Sequence, residues 1–441
     1  MKSLADWLRW QETLHPSAID LGLDRMRRTL QRLNWQQPAC PVITVAGTNG
    51  KGSTVALTSQ ILRAAGYRVG TFTSPHLIRY NERIVIDGRE VSDASLVAAF
   101  ERIEAVRGTD TLTFFEFNTI AALLVFDTAG VDAIVLEVGL GGRLDSVNVV
   151  DADVAIVSSI ALDHTDWLGP DVETIGREKA GIFRAGKPAI FGSRDMPTSI
   201  GDVAQELGAP LYRLGEDFDW QREGQRWSWR GRTTSYDNLL RPALHGELQF
   251  DNASAVLCAL ECLSSRLPVT REAIETGLQK VTLPGRFQVV RRTEPVSRGI
   301  SSAALLGSHS LPVAVDWILD VAHNPAAAQA LSGQLASRPT GGRTLAVCGI
   351  LGDKDIEGIA TALRNSFDSW IVVGVPSARA VPVHDLAERL AKMGAHIAKT
   401  AATVADGCEA ARMMAHAGDR IVVFGSFLTV GPALEWLQAG N

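Results

Sequence analysis

The chain has 441 residues, of which 46% are hydrophobic and 21% are charged, and its formal net charge is −6. This length predicts two or three domains with substantial cores, and the acidic balance argues against a general nucleic-acid-binding protein. No apolar stretch is long enough to span a membrane, the N-terminus lacks a signal-peptide core, and the five scattered cysteines fit free thiols, so we expect a cytoplasmic protein that binds no membrane.

A phosphate-binding turn is the strongest feature of the first part of the chain. The region up to residue 35 predicts two amphipathic helices with a loop at 15–22. An apolar strand at 42–46 then leads into GTNGKGS at 47–53 and a helical pattern. Backbone N–H groups and a helix N-terminus favour anions there, Lys51 can reach terminal phosphates, and Ser53 can contact them or their Mg²⁺. The spacing departs from G-x-x-x-x-G-K-[ST], so a glycine-rich turn without ligand is the alternative.

Strand and helix patterns alternate through the rest of the first domain. Strands are predicted at 68–72, 133–138 and 154–157, with helical patterns at 96–103, 115–128 and 172–183. This alternation predicts a parallel sheet with right-handed crossovers, whose carboxyl edge is where ligands bind in α/β proteins. A small β-hairpin region is expected at 211–235, followed by helices at 250–263 and 271–278.

Polar residues follow several of these strands. Glu137 ends a strand in the sheet of the phosphate turn, where it can hold Mg²⁺, and the alternative is a solvated strand-end carboxylate. His164 also follows a strand, although a lone histidine there is as often structural. Ser74 by itself indicates only a turn, and Lys179 by itself is most simply a solvated lysine on a helix.

A second α/β domain is predicted after the turn at 283–287. We place the domains at 1–287 and 288–441 and expect a loop or flexible insertion at 294–313. The fold class is α/β: a P-loop-type, mostly parallel-sheet ATPase domain plus a smaller Rossmann-like domain with strands at 317–320, 343–347, 370–373 and 420–424. Asp320 and His323 end its first strand, where ligands bind or where a capped helix simply begins.

The order of short motifs along the chain carries a resemblance. They lie at 47–53, 73–76, 136–145, 163–164, 178–181, 283–286, 320–325 and 353–355. Each is modest, but together they resemble the bacterial bifunctional dihydrofolate synthase/folylpolyglutamate synthases, which belong to the Mur ligase superfamily. The resemblance implies an N-terminal ATP-binding domain with a pterin-binding stretch and a C-terminal glutamate ligase domain.

The resemblance also implies an activity. It is the ATP-dependent joining of L-glutamate to 7,8-dihydropteroate and to the γ-carboxylate of reduced folates, through an acyl phosphate. The implied cofactors are ATP as co-substrate, Mg²⁺, K⁺ and a carbamylated Lys179, and the implied partners are small molecules bound by a monomer.

The family pattern assigns roles to individual residues. The implied catalytic residues are Lys51, His164 and Lys179, and the implied metal ligands are Ser74, Glu137 and His164. The implied ATP contacts are Thr48, Asn49, Gly50, Lys51, Gly52, Ser53, Asn252, Arg286, Asp320 and His323. The implied pterin and folate contacts are Ile19, Asp20, Leu21, Thr113, Phe114, Phe115, Glu116, Leu144, Asp145 and Ser146.

Three other functions stay open at this point. A folylpolyglutamate synthase that does not act on 7,8-dihydropteroate would not need the pterin-binding stretch. A Mur-type amino-acid ligase would usually carry an extra N-terminal nucleotide-binding domain, for which a phosphate turn at residue 47 leaves no room. A nucleotide-gated switch or binding module with a decayed site fits poorly with the joint presence of Lys51, Glu137, His164 and Lys179.

Overall fold

The chain forms two compact units, Met1–Thr282 and Leu283–Asn441. The structure is a computed structural model that describes residues 2–294 and 313–439. The predicted loop or insertion at 294–313 therefore lies, except for its two end residues, outside the described residues. Within the described ranges, no helix combines the length and the apolar composition that crossing a membrane requires.

An eight-stranded sheet organises the first unit. Its strands are β1 Val42–Ala46, β2 Val69–Phe72, β3 Ile84–Ile86, β4 Arg89–Glu90, β5 Ala133–Glu137, β6 Val154–Val157, β7 Ala189–Phe191 and β8 Leu211–Arg213. Their order is β4-β3-β2-β5-β1-β6-β7-β8, and all pairs from β2 to β8 are parallel. Every residue of β1, β2, β5, β6 and β7 is buried, which explains their continuous apolar sequences, since helices cover both faces of a parallel sheet.

Ten helices accompany this sheet in the described part of the first unit. They are α1 Leu4–Leu14, α2 Asp24–Arg32, α3 Lys51–Ala64, α4 Asp93–Arg107, α5 Phe114–Ala129, α6 Thr165–Leu168, α7 Val172–Ala180, α8 Thr198–Leu207, α9 Leu248–Cys262 and α10 Arg271–Lys280. The helix α4 is longer than predicted because Ser92 caps it, its side chain accepting from the backbone N–H of Ser95. The helix α3 begins at Lys51, within the segment 47–53, because Gly50 supplies the left-handed residue that turns the strand into the helix.

The predicted hairpin region forms a separate three-stranded antiparallel sheet. Its strands are β9 Asp219–Glu223, β10 Arg226–Arg230 and β11 Ser235–Leu240. Trp227 and Trp229 are buried beneath it, and Trp220 stacks on Phe250 of α9 with ring centroids 4.9 Å apart. Aromatic packing therefore attaches this small sheet to the main body of the first unit.

The second unit contains a six-stranded sheet. Its strands are β12 Gln288–Glu294, β13 Val313–Asp320, β14 Thr344–Cys348, β15 Ser369–Val373, β16 Ile397–Ala401 and β17 Arg420–Phe424. The helices of this unit are α11 Pro325–Ala336, α12 Ile356–Leu363, α13 Val383–Lys392, α14 Val404–Met414 and α15 Phe427–Ala439. The order is β12-β13-β17-β14-β15-β16, with only β12 antiparallel. The edge strands β12 and β16 were not predicted because neither has the continuous apolar pattern of a central strand.

Candidate active site

The carboxyl ends of four neighbouring strands meet at one edge of the first sheet. The strands β2, β5, β1 and β6 are adjacent in that order. Ser74 follows β2, Glu137 ends β5, the segment 47–53 follows β1, and the chain leaving β6 reaches His164. The topology thus brings the predicted phosphate-binding and metal-binding residues to the edge where parallel sheets bind ligands.

The phosphate turn is held in place by the chain that leaves β6. The backbone N–H of Thr48 donates to the carbonyl oxygen of Ser159 at 2.7 Å, and that of Asn49 donates to the Ser159 hydroxyl at 3.2 Å. The Lys51 ammonium curves back over the turn and donates to the carbonyl oxygens of Gly47 and Thr48, at 2.9 and 3.2 Å. Hydrogen bonds within the protein therefore hold the turn and the Lys51 ammonium in place.

Asn252 of α9 packs directly against this turn. Its side-chain oxygen lies 3.4 Å from the Thr54 hydroxyl, and its amide donates to Gln249 at 3.1 Å. A Cβ atom added to Gly50 would lie only 2.6 Å from that oxygen. Asn252 is buried beside the phosphate turn. This position supports its predicted contact with ATP, for which the sequence offered only the family resemblance. Ser53 is buried in the first turn of α3.

Gly50→Ala is expected to destabilise the phosphate turn. Gly50 has φ +89°, which L side chains rarely adopt, and the new methyl group would meet Asn252, so we expect a loss of about 1–3 kcal/mol of unfolding free energy. Denaturant unfolding and ADP affinity measure the effect. Gly201→Ala in α8 is the control, because its nearest neighbour would be Met196 at 3.7 Å, and stability should stay unchanged or rise slightly. Equal stability of the two variants would contradict the prediction.

Glu137 and Ser74 are joined at the sheet edge. The Glu137 carboxylate is 5% exposed and accepts a hydrogen bond from the backbone N–H of Ser74 at 3.1 Å. Carboxylate and hydroxyl oxygens are the hard ligands that Mg²⁺ prefers. Within residues 2–294 and 313–439, no three His, Cys, Asp or Glu side chains form a metal-binding group.

His164 is held in an unusual backbone conformation. Its φ is +52°, in the left-handed region that non-glycine residues seldom occupy, and it begins the short helix α6. Its backbone N–H donates to the Asp163 carboxylate at 2.9 Å. Such strain costs on the order of 1–3 kcal/mol and gathers at functional sites, so the conformation favours a functional role over a purely structural one.

Lys179 is buried, so its interpretation as a solvated lysine is wrong. The backbone of Lys179, near the end of α7, packs against the loop that follows β5: a Cβ atom on Gly142 would lie 2.8 Å from the carbonyl oxygen of Lys179. Burial, together with the positive charge of Lys51, lowers the pKa of Lys179 to about 7, although Asp163 and Asp145 oppose that shift. At neutral pH a large fraction of this amine is uncharged and nucleophilic.

Asp145 holds the loop that follows β5. Its carboxylate accepts from the backbone N–H groups of Leu140 and Val147, at 2.8 and 3.0 Å, and it caps the short 3₁₀ helix Ser146–Val149. Burial raises its pKa to about 6 against the opposing effects of these N–H groups and of Lys51. Each carboxylate oxygen has two acceptor positions, so the predicted contact with a pterin N–H group is compatible with this role.

The predicted pterin segments lie near one another in the first unit. Thr113 caps α5 and forms a capping box with Glu116. Phe115 packs on Phe72, with ring centroids 5.6 Å apart, and a Cβ atom on Gly139 would lie 2.7 Å from its ring. The first turn of α5 therefore contacts the loop that carries the predicted residues Leu144, Asp145 and Ser146.

Sequence reasoning missed Arg25, which joins the pterin segment at 19–21 to the one at 113–116. Its guanidinium pairs with Asp20 at 2.6 Å and with Glu116 at 3.1 Å. Ile19, also in the 15–22 loop, is exposed, and Leu21 is half-buried. Nothing in the sequence distinguishes Arg25 from the other arginines of α2, because its partner Glu116 is distant along the chain.

The second unit places its predicted residues at the end of β13. The buried Asp320 carboxylate accepts from the backbone N–H groups of Phe287 and Ala322, both at 2.8 Å. Burial raises its pKa, although the charge of Arg286 opposes that shift. Arg286 also lies over the Phe427 ring, 5.1 Å from its centroid. His323 Nδ1 is 2.7 Å from the Val321 carbonyl oxygen, to which it donates.

Comparison with known proteins gives matches over nearly the whole chain. The Mur ligase middle domain matches residues 45–260, and the Mur ligase glutamate ligase domain matches residues 309–427. The chain is 44% identical to the dihydrofolate synthase/folylpolyglutamate synthase of Escherichia coli over 436 residues, which cover 99% of this chain and 96% of that protein.

Solved structures agree with these matches. Escherichia coli FolC in complex with DHPP and ADP has a TM-score of 0.90 at 44% identity, covering 100% of this chain and 98% of that one. A bifunctional folylpolyglutamate synthase/dihydrofolate synthase with Mn, AMPPNP and L-glutamate bound has a TM-score of 0.87 at 44% identity. The match covers 99% of this chain and 98% of that one.

Proposed function

The chain belongs to the Mur ligase family and, within it, to the bifunctional dihydrofolate synthase/folylpolyglutamate synthases, and we propose that it performs both reactions of that group. It is an ATP-dependent ligase that joins L-glutamate to 7,8-dihydropteroate and to the γ-carboxylate of reduced folates. The observation that carries this function is the 44% identity over 99% of the chain. The sheet edge described above supplies the chemistry in detail.

The reaction has two steps. An oxygen of the acceptor carboxylate attacks the γ-phosphorus of ATP, and the bond to ADP breaks, which gives an acyl phosphate. The amine of L-glutamate then attacks the acyl carbon, and the tetrahedral intermediate releases inorganic phosphate and leaves an amide. Both steps require charge on transferring oxygens to be stabilised by groups that are already in place.

Residues of the first unit are proposed to supply this stabilisation. Segment 48–53 cradles the phosphates, and the Lys51 ammonium stabilises charge on the transferred phosphoryl group. Ser74, Glu137 and His164 would hold Mg²⁺, which would neutralise negative charge on the phosphates. The backbone N–H of Ser74 donates to the Glu137 carboxylate, so the two residues are neighbours, and their carboxylate and hydroxyl oxygens fit that hard cation.

Lys179 is proposed to react with CO₂ and form a carbamate. The neutral amine attacks CO₂ and releases one proton, so an uncharged group becomes an anion. Support comes from its burial and from its pKa of about 7, which leave much of the amine unprotonated at neutral pH. The carbamate would place a negative group near Lys51 and the metal-binding edge. It would also replace the unfavourable interaction of a protonated Lys179 with the half-buried Lys51 ammonium by an attraction.

The remaining assignments complete the proposal. Asn252 in the first unit and Arg286, Asp320 and His323 in the second are proposed contacts of ATP. The three segments Ile19–Leu21, Thr113–Glu116 and Leu144–Ser146 are proposed to bind the pterin, with Phe115 stacking on its ring. The K⁺ ion and the monomeric state implied by the sequence resemblance stay predictions, as do the domain limits 1–287 and 288–441.

Phosphate release from ATP with two acceptors tests the function. The assay contains Mg²⁺ and L-glutamate, and it compares 7,8-dihydropteroate with tetrahydrofolate. We expect turnover with both, which requires glutamate in each case. Turnover with tetrahydrofolate alone would reduce the function to polyglutamylation and contradict the pterin assignment. No turnover with either acceptor, in protein shown to be folded, would contradict the folate function altogether.

A further inference from the structure

Arg25 connects two segments that lie far apart in the sequence. Its Nη1 donates to Oδ2 of Asp20 at 2.6 Å, and its Nη2 donates to the Asp20 carbonyl oxygen at 2.7 Å. Its Nε donates to both carboxylate oxygens of Glu116, at 3.1 and 3.2 Å, across 91 residues of sequence. One guanidinium therefore holds the loop at 15–22 and the first turn of α5 at the same time.

The two partners of Arg25 differ in how firmly the fold holds them. Glu116 is buried, and one of its oxygens also accepts from the backbone N–H of Thr113 at 2.8 Å, so its place is set by the start of α5. Asp20 is exposed in a loop without helix or strand, where its only other described ion-pair neighbour is His15 at 3.4 Å. Arg25 therefore ties this loop to Glu116 at the start of α5, whereas, among the described residues, His15 bonds only within the loop, to Asp20 and to the Ser17 backbone.

We propose that Arg25 is a positioning residue for the pterin substrate, which it serves by fixing the 15–22 loop against the first turn of α5. This inference rests on the proposed function. The first turn of α5 also carries Phe115, which packs against Gly139 in the loop that Asp145 holds. Protein contacts thus link the three pterin segments, and a loop that such contacts order loses less conformational freedom when substrate binds.

A kinetic comparison of Arg25→Gln, Arg25→Lys and the wild type tests this role. In Arg25→Gln the loop loses its ionic link, and we expect the KM for 7,8-dihydropteroate to rise by about 10- to 100-fold. The KM values for ATP and L-glutamate should stay within about twofold of wild type, because the phosphate turn does not contact Arg25. Arg25→Lys keeps the charge but loses the paired N–H donors of the guanidinium. Its KM for 7,8-dihydropteroate should therefore lie between those of the wild type and Arg25→Gln.

Arg28→Gln is the matched control. Arg28 lies one turn further along α2 and pairs with Asp110 at 2.7 Å, but its side chain is 48% exposed whereas that of Arg25 is 20% exposed. The same substitution there removes a surface ion pair and should leave all three KM values unchanged.

The outcomes separate a positioning role from a general structural role. A raised KM for dihydropteroate alone, partly restored by lysine, supports the proposal. An unchanged KM in folded Arg25→Gln overturns it, and so does an equal rise in all three KM values. Failure of both Arg25 variants to fold would also overturn it, because Arg25 would then serve the stability of the fold. A wild type without activity on dihydropteroate would contradict the proposed function instead.

Discussion

Lys51→Met is expected to lower kcat with both acceptors by about 10²- to 10³-fold. The Lys51 ammonium is held over the phosphate turn by the Gly47 and Thr48 carbonyl oxygens, so it is in place before phosphoryl transfer begins. A methionine side chain has a similar length and no charge. The loss should therefore appear mainly in the step where charge develops on the transferred phosphoryl group. Steady-state phosphate release at saturating substrates measures the effect.

Lys187→Met is the control for this variant. Lys187 is exposed and pairs with Asp153 at 3.0 Å, so the same change in charge and side chain occurs in the same unit without touching the phosphate turn. Its kcat should stay within about twofold of wild type. A kcat of Lys51→Met within tenfold of wild type would show that Lys51 does not act on the transferring group.

Lys179→Met is expected to lower kcat by about 10²-fold or more, because the variant cannot form a carbamate near the phosphates. Arg177→Met is the control, since Arg177 lies on the same helix α7 but is exposed and pairs with Glu206 at 3.1 Å. Wild-type protein equilibrated with ¹³C-labelled CO₂ should give a carbamate carbon signal in NMR spectra that the Lys179 variant lacks. Absence of that signal in active wild type would contradict the carbamate.

The same proposal predicts how carbamylation depends on pH. The pKa of Lys179 is lowered to about 7, so the fraction of neutral amine rises from about one tenth at pH 6 to about nine tenths at pH 8. At a fixed concentration of dissolved CO₂, the carbamate signal should therefore grow over that range. A signal independent of pH between 6 and 8 would show that the amine does not titrate there.

The order of secondary structure could be predicted from local patterns. The strands β1, β5 and β6 are continuous apolar runs in the sequence, and their parallel arrangement follows from the helices between them. The phosphate turn could be predicted because its glycines, lysine and hydroxyl are consecutive. Strands with mixed exposure, such as β12 and β16, could not be predicted, because they form by pairing with a neighbouring strand and lack a continuous apolar pattern.

Residues whose environment comes from distant parts of the chain could not be interpreted from sequence. Lys179 has the local pattern of a surface lysine, yet the packing of the loop after β5 against α7 buries it and lowers its pKa. Arg25 resembles its neighbours on α2, yet only it reaches the carboxylate of Glu116. Burial and pairing are properties of the folded chain, because they depend on which side chains the fold brings together.

The sequence by itself thus determined the α/β class, the phosphate turn and the membership of the chain in a ligase family, since each depends on residues close together or on the order of motifs. Only the tertiary structure decided that Lys179 is a buried amine, that Ser74 donates to Glu137, and that Arg25 joins the pterin segments. The physical reason is that charge, solvent access and hydrogen bonding at a site are set by contacts between segments that the chain brings together only when it folds.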